Sequence, residues 1–277
     1  MTLGEHAQPA DHDGHGFDMK AFTLSAQGNL RPQLDLDAYA ARPLAADDLR
    51  LVRHLGRLEA ATMEHLRNLL VTATHKDARV TAFLVTWAFE KFWIADAIDA
   101  VLEANGEPRL KDVEEGPRRH SAGEAVERRG PITRAIEAIG RGVPIVAVHM
   151  TTGLVDEWVM RHAYDVLVER ADSPALTAIV ERLRTVKARH EEFFDVEARW
   201  RLEDSARAVK QTRASLSTAV WPLGAVERSD AERTFFDAAV WGGAAGHLRA
   251  DAVGDRVASL PGLDASVGAA VTRKLTA

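Results

Sequence analysis

Polar side chains interrupt four stretches of the sequence whose apolar residues recur with helical spacing. Glu59, Glu90 and Glu157 each lie within one such stretch, and Lys187 and His190 share the fourth. Because residues three and four apart share a helix face, each of these polar side chains is predicted to point inward with its apolar neighbours. A buried ionised group is costly unless it is paired or bound to a metal ion. The four stretches therefore predict one shared buried site.

The spacing of these positions is nearly symmetrical along the chain. Glu59 and Glu90 are 31 residues apart, and Glu157 and Lys187 are 30 residues apart. Within each pair only a few residues separate the two predicted helices, so each pair is expected to form an antiparallel hairpin.

The composition excludes several classes of protein. The chain has 277 residues, a formal net charge of -6 and no cysteine. Disulfides, thiolate metal sites and cysteine nucleophiles are therefore excluded, and the acidic balance argues against a nucleic-acid partner. The first residues lack the plan of a signal peptide, and no apolar run is long enough to cross a membrane. We expect a cytoplasmic protein without a membrane partner.

The remaining sequence predicts the elements that position the site. About 40 residues separate the second and third helices, enough to travel the length of a bundle. The fold class predicted is all-α, a four-helix bundle of two hairpins and one long crossover. Residues 1–45, with His6, His12 and His15, are expected to be a disordered or extended lead, and 217–277 a helical extension. The four long helices are predicted at about 46–74, 77–104, 144–171 and 174–216.

Two short motifs indicate a family. They read Glu90-Lys91-Phe92-Trp93 in the second helix and Lys187-Ala188-Arg189-His190 in the fourth. With Glu59 and Glu157, they resemble the ligand pattern of the ferritin-like, carboxylate-bridged diiron superfamily over about residues 46–205. That family places one Glu on each of two helices and Glu-x-x-His on each of the other two. The chain departs from the pattern at Trp93, where the family has His, and at Lys187, where it has Glu.

The resemblance implies a degenerate metal site. One metal position would retain only Glu59 and Glu90, and the other would retain Glu90, Glu157 and His190, enough for one ion with open positions. Three glutamates and Lys187 sum to a charge of -2, which one divalent ion would neutralise. The bulk of Trp93 is expected to fill the space of the missing ligand, and Tyr164 is expected to neighbour the site two turns from Glu157.

Two functions stay open at this point. The first is an oxidoreductase that uses one Fe or other divalent metal ion on a small molecule admitted along the bundle. The alternative is a metal-free, non-catalytic scaffold or binding protein, in which Lys187 and the glutamates form an ion network.

The extension predicts an assembly. It carries apolar residues beyond what one bundle needs to cover, so we expect a homodimer; the alternative is that the extension folds back onto its own bundle. The residues concerned are Phe235, Phe236, Trp241 and Leu248.

Overall fold

The structure is a computed structural model. It describes residues 16–112, 142–225 and 228–277, which form helices and turns without a strand, so the prediction of an all-helical fold is confirmed. His6, His12 and His15 lie outside the described residues. The helices, numbered in chain order, are α1 Met19–Leu24, α2 Ala38–Ala41, α3 Ala46–Ala60, α4 Thr62–Leu70, α5 Ala78–Ala104, α6 Ile145–Ala171, α7 Pro174–Asp204, α8 Ala206–Leu216, α9 Asp230–Val240, α10 Gly243–Ala258 and α11 Ala265–Leu275.

The long helices pack as two antiparallel hairpins. Along α3 and α5, the Leu44 amide donates to the side chain of Asn105 near one end, and His65 contacts Trp87 near the other. Along α6 and α7, Arg184 pairs with Asp165 and Trp158 donates to Glu191.

The contacts between the hairpins set their relative direction. Arg170 of α6 approaches Asp48 of α3, and Tyr164 of α6 bonds Glu59 further along α3. These contacts make α6 antiparallel to α3. Because α5 is also antiparallel to α3, α5 and α6 run in the same direction.

Local sequence explains where the long helices begin. The side chain of Asp77 accepts a hydrogen bond from the Val80 amide at the start of α5, and Ser173 accepts one from Leu176 at the start of α7. These are ordinary N-cap bonds, and Pro174 at the first position of α7 suits them because it lacks an amide proton.

Two predicted helices are each divided in the structure. The prediction of one helix over 46–74 was wrong, because the helix breaks at Ala61, where the backbone of Gly224 packs closely. The fourth helix ends at Asp204 rather than continuing to 216, because Ser205 is extended. The Ser205 side chain then caps α8 by accepting from the Ala208 amide.

The N-terminal segment corrects another expectation. Residues 16–45 are neither disordered nor uniformly extended, since α1 and α2 form within them and Phe17, Phe22 and Tyr39 are buried. The ring of Phe22 stacks on Phe83 of α5, and Phe17 packs edge-on against Phe193 of α7. This segment therefore covers the side of the molecule where α5 faces α7.

The C-terminal helices pack on the same chain. Phe236 and Trp241 are buried among residues of the common core, and Phe235 is partly buried beneath the guanidinium of Arg50. Of the residues that suggested a dimer, Leu248 is exposed. The homodimer stays a prediction. Most of the apolar side chains that suggested it are, however, covered by residues of the same chain.

Among the helices of residues 16–112, 142–225 and 228–277, none combines the length and the hydropathy that crossing a bilayer requires.

Candidate functional site

Three of the predicted residues meet in the centre of the long helices. The ammonium of Lys187 lies 2.7 Å from Glu157 Oε2 and 3.1 Å from Glu59 Oε1. All three side chains are buried, and they come from α3, α6 and α7. Lys187 therefore bridges two glutamates that lie on different hairpins.

A second buried lysine completes this cluster. Lys91 of α5 forms an ion pair with Glu59, and its Nζ lies 3.9 Å from Glu157 Oε1. Its side chain is only 3% exposed. Lys91 belongs to the motif Glu90-Lys91-Phe92-Trp93, but helical spacing gave no reason to predict it as a site residue. We call Glu59, Lys91, Glu157 and Lys187 the central ion network.

Aromatic side chains lie at the border of the central ion network. The hydroxyl of Tyr164 donates to Glu59 Oε1 over 2.9 Å, and the indole of Trp87 donates to Glu157 Oε1 over 3.4 Å. Tyr164 was predicted as a neighbour of the site, and its bond to Glu59 places it there. Burial first, and then the negative charge of Glu59, raise the pKa of Tyr164 well above its ordinary value.

Glu90 and His190 form a separate pair beside the network. His190 Nε2 lies 2.7 Å from Glu90 Oε2, and Glu90 Oε1 accepts from the backbone amide of Gln27 at 2.7 Å and from Arg189. Arg189 also donates to the hydroxyl of Ser25 over 2.7 Å. Glu90 is therefore turned toward the N-terminal segment rather than toward Glu59 and Glu157.

The pKa values follow from these contacts. Burial by itself would raise the pKa values of Glu59 and Glu157, but Lys187 and Lys91 outweigh it and hold the Glu157 pKa at about 2. Burial opposes the charged form of Lys187, yet Glu157 and Glu59 raise its pKa above the ordinary range. Glu59, Glu157 and Lys187 are therefore ionised at neutral pH.

Burial has the opposite consequence for His190. It lowers the pKa of the imidazole despite the nearby carboxylates of Glu90 and Glu157. The ring is therefore neutral at neutral pH. With Nε2 as the donor to Glu90, Nδ1 is a buried acceptor without a hydrogen-bond partner, 3.8 Å from Glu157 Oε1.

The expectation for Trp93 was wrong. Its indole lies at the outer side of α5, in contact with the rings of Phe89 and Phe92 and near Gly28 of the N-terminal segment. The inward space beside Glu59 that was assigned to Trp93 is filled by Lys91.

The residues present do not fit the single-ion site that the resemblance implies. Such an ion would need Glu90, Glu157 and His190 around one point. The two carboxylates instead lie at opposite nitrogens of the His190 ring, Glu90 at Nε2 and Glu157 at Nδ1. Among the described residues, no group of three or more possible protein ligands converges on one point.

The balance of charge also differs from the expected value of -2. That value counted Lys187 and omitted both Lys91 and Arg189, which pair with Glu59 and Glu90. With both included and His190 neutral, the three glutamates are fully compensated by protein cations. A divalent ion is therefore not required for neutrality.

A further carboxylate lies at the edge of the network. Asp156 accepts a hydrogen bond of 2.6 Å from the Leu223 amide and lines a small cavity with Lys91 and His65. Burial raises the pKa of Asp156 to about 7 and lowers that of His65 to about 4. Neither residue was predicted to belong to the site. For Asp156 the reason is that a single carboxylate next to Glu157 in the sequence gives no periodic signal.

Asp156 gives a prediction on pH. A carboxyl whose folded pKa lies above its unfolded value of 3.8 binds more protons when folded, so stability falls as pH rises from about 4 to about 7. Asp156→Asn should remove this loss and raise the free energy of unfolding at pH 8 by about 4 kcal/mol. Urea denaturation at pH 4.5, 6 and 8 measures it. An advantage of the variant that is independent of pH would contradict the assignment.

Comparison with known proteins adds no family to this description. No protein-family model, no curated protein and no solved structure matches the chain.

Proposed function

We propose that the chain is a ferritin-like four-helix bundle that works without a metal ion, as a binding protein for a small molecule. The parallel α5 and α6, each the partner of an antiparallel helix, support the ferritin-like arrangement. The observation that carries the functional proposal is the position of Lys91 and Lys187 on Glu59 and Glu157. Two ammonium groups occupy the carboxylate oxygens that a dinuclear centre would use.

The electrostatics support this reading. A divalent ion entering between Glu59 and Glu157 would have to displace two ammonium groups into a buried environment, where an unpaired charge costs several kcal/mol. Amine catalysis by Lys187 is disfavoured for a related reason, because its raised pKa keeps the nitrogen protonated. The cluster is suited to hold the four helices in register and to form the charged floor of a binding site.

One observation favours a second candidate, an oxidoreductase with one metal ion. The unpartnered Nδ1 of His190 faces Glu157 Oε1, and an imidazole nitrogen with a carboxylate oxygen is a common start to a metal site. These residues could supply two protein ligands. The alternative chemistry would be oxidation of a small molecule.

Metal analysis separates the two candidates. Full-length protein purified without a histidine tag is incubated under nitrogen with Fe(II), Mn(II) or Zn(II), desalted and measured by inductively coupled plasma mass spectrometry. We expect far less than one equivalent of any metal, in the parent and in His190→Ala alike. The control is His247→Ala, at an exposed histidine of α10. About one equivalent of metal in the parent, lost in His190→Ala and retained in His247→Ala, would refute the proposal and support the oxidoreductase.

A further inference from the structure

A groove between α6 and α7 leads from the surface to the central ion network. It has a volume of about 240 Å³, and Glu157, Tyr164 and Lys187 form its floor. The Lys187 side chain is 7% exposed, whereas Glu59 on its far side is completely buried. Through this groove a ligand could reach the central ion network from the surface. Its volume lies just below the range of typical small-molecule sites.

Two ion pairs bracket the groove along its length. Arg184 pairs with Asp165 at one end, and Arg161 pairs with Glu191 at the other. Lys187 lies between them, one turn from Arg184 on α7. Ala188 also lines the groove, and its short side chain leaves space beside Lys187. The site thus has cationic groups at both ends and a polar floor.

The ion pair between Arg184 and Asp165 leaves one N–H group of Arg184 without an acceptor. A guanidinium has five N–H groups, and Arg184 uses a terminal nitrogen to bond Asp165. Its Nε is buried and has no hydrogen-bond partner. A buried donor without an acceptor is costly, and a ligand oxygen would satisfy it. Because a hydrogen bond from an arginine to a carboxylate is stronger than one to a neutral oxygen, this single donor favours a carboxylate ligand.

The charge around the groove agrees with that class. Glu191 accepts from Arg256 over 2.6 Å and from the indole of Trp158 over 3.1 Å, besides its pair with Arg161. Two arginines therefore share one carboxylate at this end, which leaves one positive charge in excess. At the other end Arg184 and Asp165 balance each other, and the central network is neutral. The groove as a whole therefore carries one positive charge in excess, which a monoanion bound along it would balance.

We propose that this groove binds a small organic monocarboxylate, with Arg184 as its main contact and Arg161 and Lys187 as flanking charges. The inference rests on the proposed metal-independent binding function and names its ligand class. The carboxylate would accept from Arg184 Nε at the wall of the groove, and its organic part would extend over Ala188 toward the floor.

Binding of simple carboxylates tests this assignment. EDTA-treated full-length protein is titrated by calorimetry with acetate, butyrate and benzoate, and separately with acetamide, butyramide and benzamide. We expect saturable binding of at least one carboxylate, with its neutral amide at least about tenfold weaker because the charge-assisted bond is lost. Absence of saturable binding by all three carboxylates would overturn the proposal, as would equal affinity for acid and amide.

Variants locate the site. Arg184→Gln should weaken carboxylate binding about tenfold or more, and Arg184→Lys should weaken it less because the charge remains without the fork. Arg42→Gln, which alters an exposed arginine paired with Asp172, is the matched control and should bind as the parent does. Thermal unfolding verifies that each variant folds. If both Arg184 variants fold and bind like the parent, the groove is not the site.

The metal dependence distinguishes this inference from the proposed function beneath it. Carboxylate binding that appears only after Fe(II) or Zn(II) is added would refute the metal-independent function. Absence of binding both with and without metal, in protein that retains no metal, would refute the carboxylate site and leave the metal-free network in place.

Discussion

Lys187→Ala is expected to lower the free energy of unfolding by about 3–5 kcal/mol, the range measured when one partner of a buried ion pair is removed. Lys187 bridges Glu157 and Glu59 at 2.7 and 3.1 Å, so its loss leaves two buried carboxylates with only Lys91 between them. Urea denaturation at pH 7 in EDTA-containing buffer measures the change. Lys274→Ala, at an exposed lysine of α11, is the control and should leave stability nearly unchanged.

The pH dependence of the same variant provides a second test. In the parent, the lowered pKa of Glu157 contributes stability above its unfolded value of 4.5, and this is lost as pH falls toward about 2. In Lys187→Ala the carboxylates become easier to protonate, so the difference between variant and parent should narrow below about pH 5. Equal stability of the two proteins at pH 7 would show that Lys187 is outside the network.

Helical periodicity predicted much of this arrangement. Glu59, Glu157 and Lys187 each interrupt an apolar stripe, and a side chain on such a stripe points to the core when only one helix face is buried. Their contacts in the structure confirm that the three side chains meet. Tyr164 followed from the same argument, because it lies two turns from Glu157 on one face of α6.

Lys91 could not be selected by that argument. It directly follows Glu90, and adjacent residues are about 100° apart around a helix, so a one-faced helix would bury only one of them. In the structure α5 is packed on several sides, with Glu90 directed to α7 and the N-terminal segment and Lys91 directed to α3. A helix that is apolar around most of its circumference gives no periodic signal for which polar residue meets which neighbour.

The N-terminal segment escaped prediction for a different reason. Its contacts are made by single side chains, such as Phe17 and Phe22, rather than by a repeating face. Its decisive bond to the site comes from a backbone amide, Gln27 N to Glu90. The pattern of side chains carries no information about a backbone donor. The direction in which Glu90 points could therefore not be predicted from the sequence.

The second large effect concerns a gain of metal binding. The double variant Lys91→Ala with Lys187→Glu should bind a divalent ion, whereas we expect the parent to bind none. It removes both ammonium groups from Glu59 and Glu157 and adds a carboxylate at position 187. Uncompensated buried carboxylates repel one another, so the variant should be unstable in EDTA and stabilised by Mn(II) or Zn(II).

The stabilisation can be measured directly. At a metal concentration of a hundred times the dissociation constant, binding to the folded state alone adds about 2.7 kcal/mol, so the urea midpoint of the double variant should rise with added Mn(II) or Zn(II). The parent should show no such rise. Lys91→Ala with Lys187→Ala is the matched control, and its rise should be smaller because it lacks the added carboxylate.

The same experiment distinguishes Lys91 from Trp93 as the residue that excludes metal. Trp93→His with Lys187→Glu restores the family's two motifs by sequence, but it leaves Lys91 paired with Glu59. Because the position of Trp93 lies at the outer side of α5, beside Phe89 and Phe92, a histidine there should add little affinity. Metal binding by this variant that equals or exceeds binding by Lys91→Ala with Lys187→Glu would show that Trp93, rather than Lys91, prevents a metal ion from binding there.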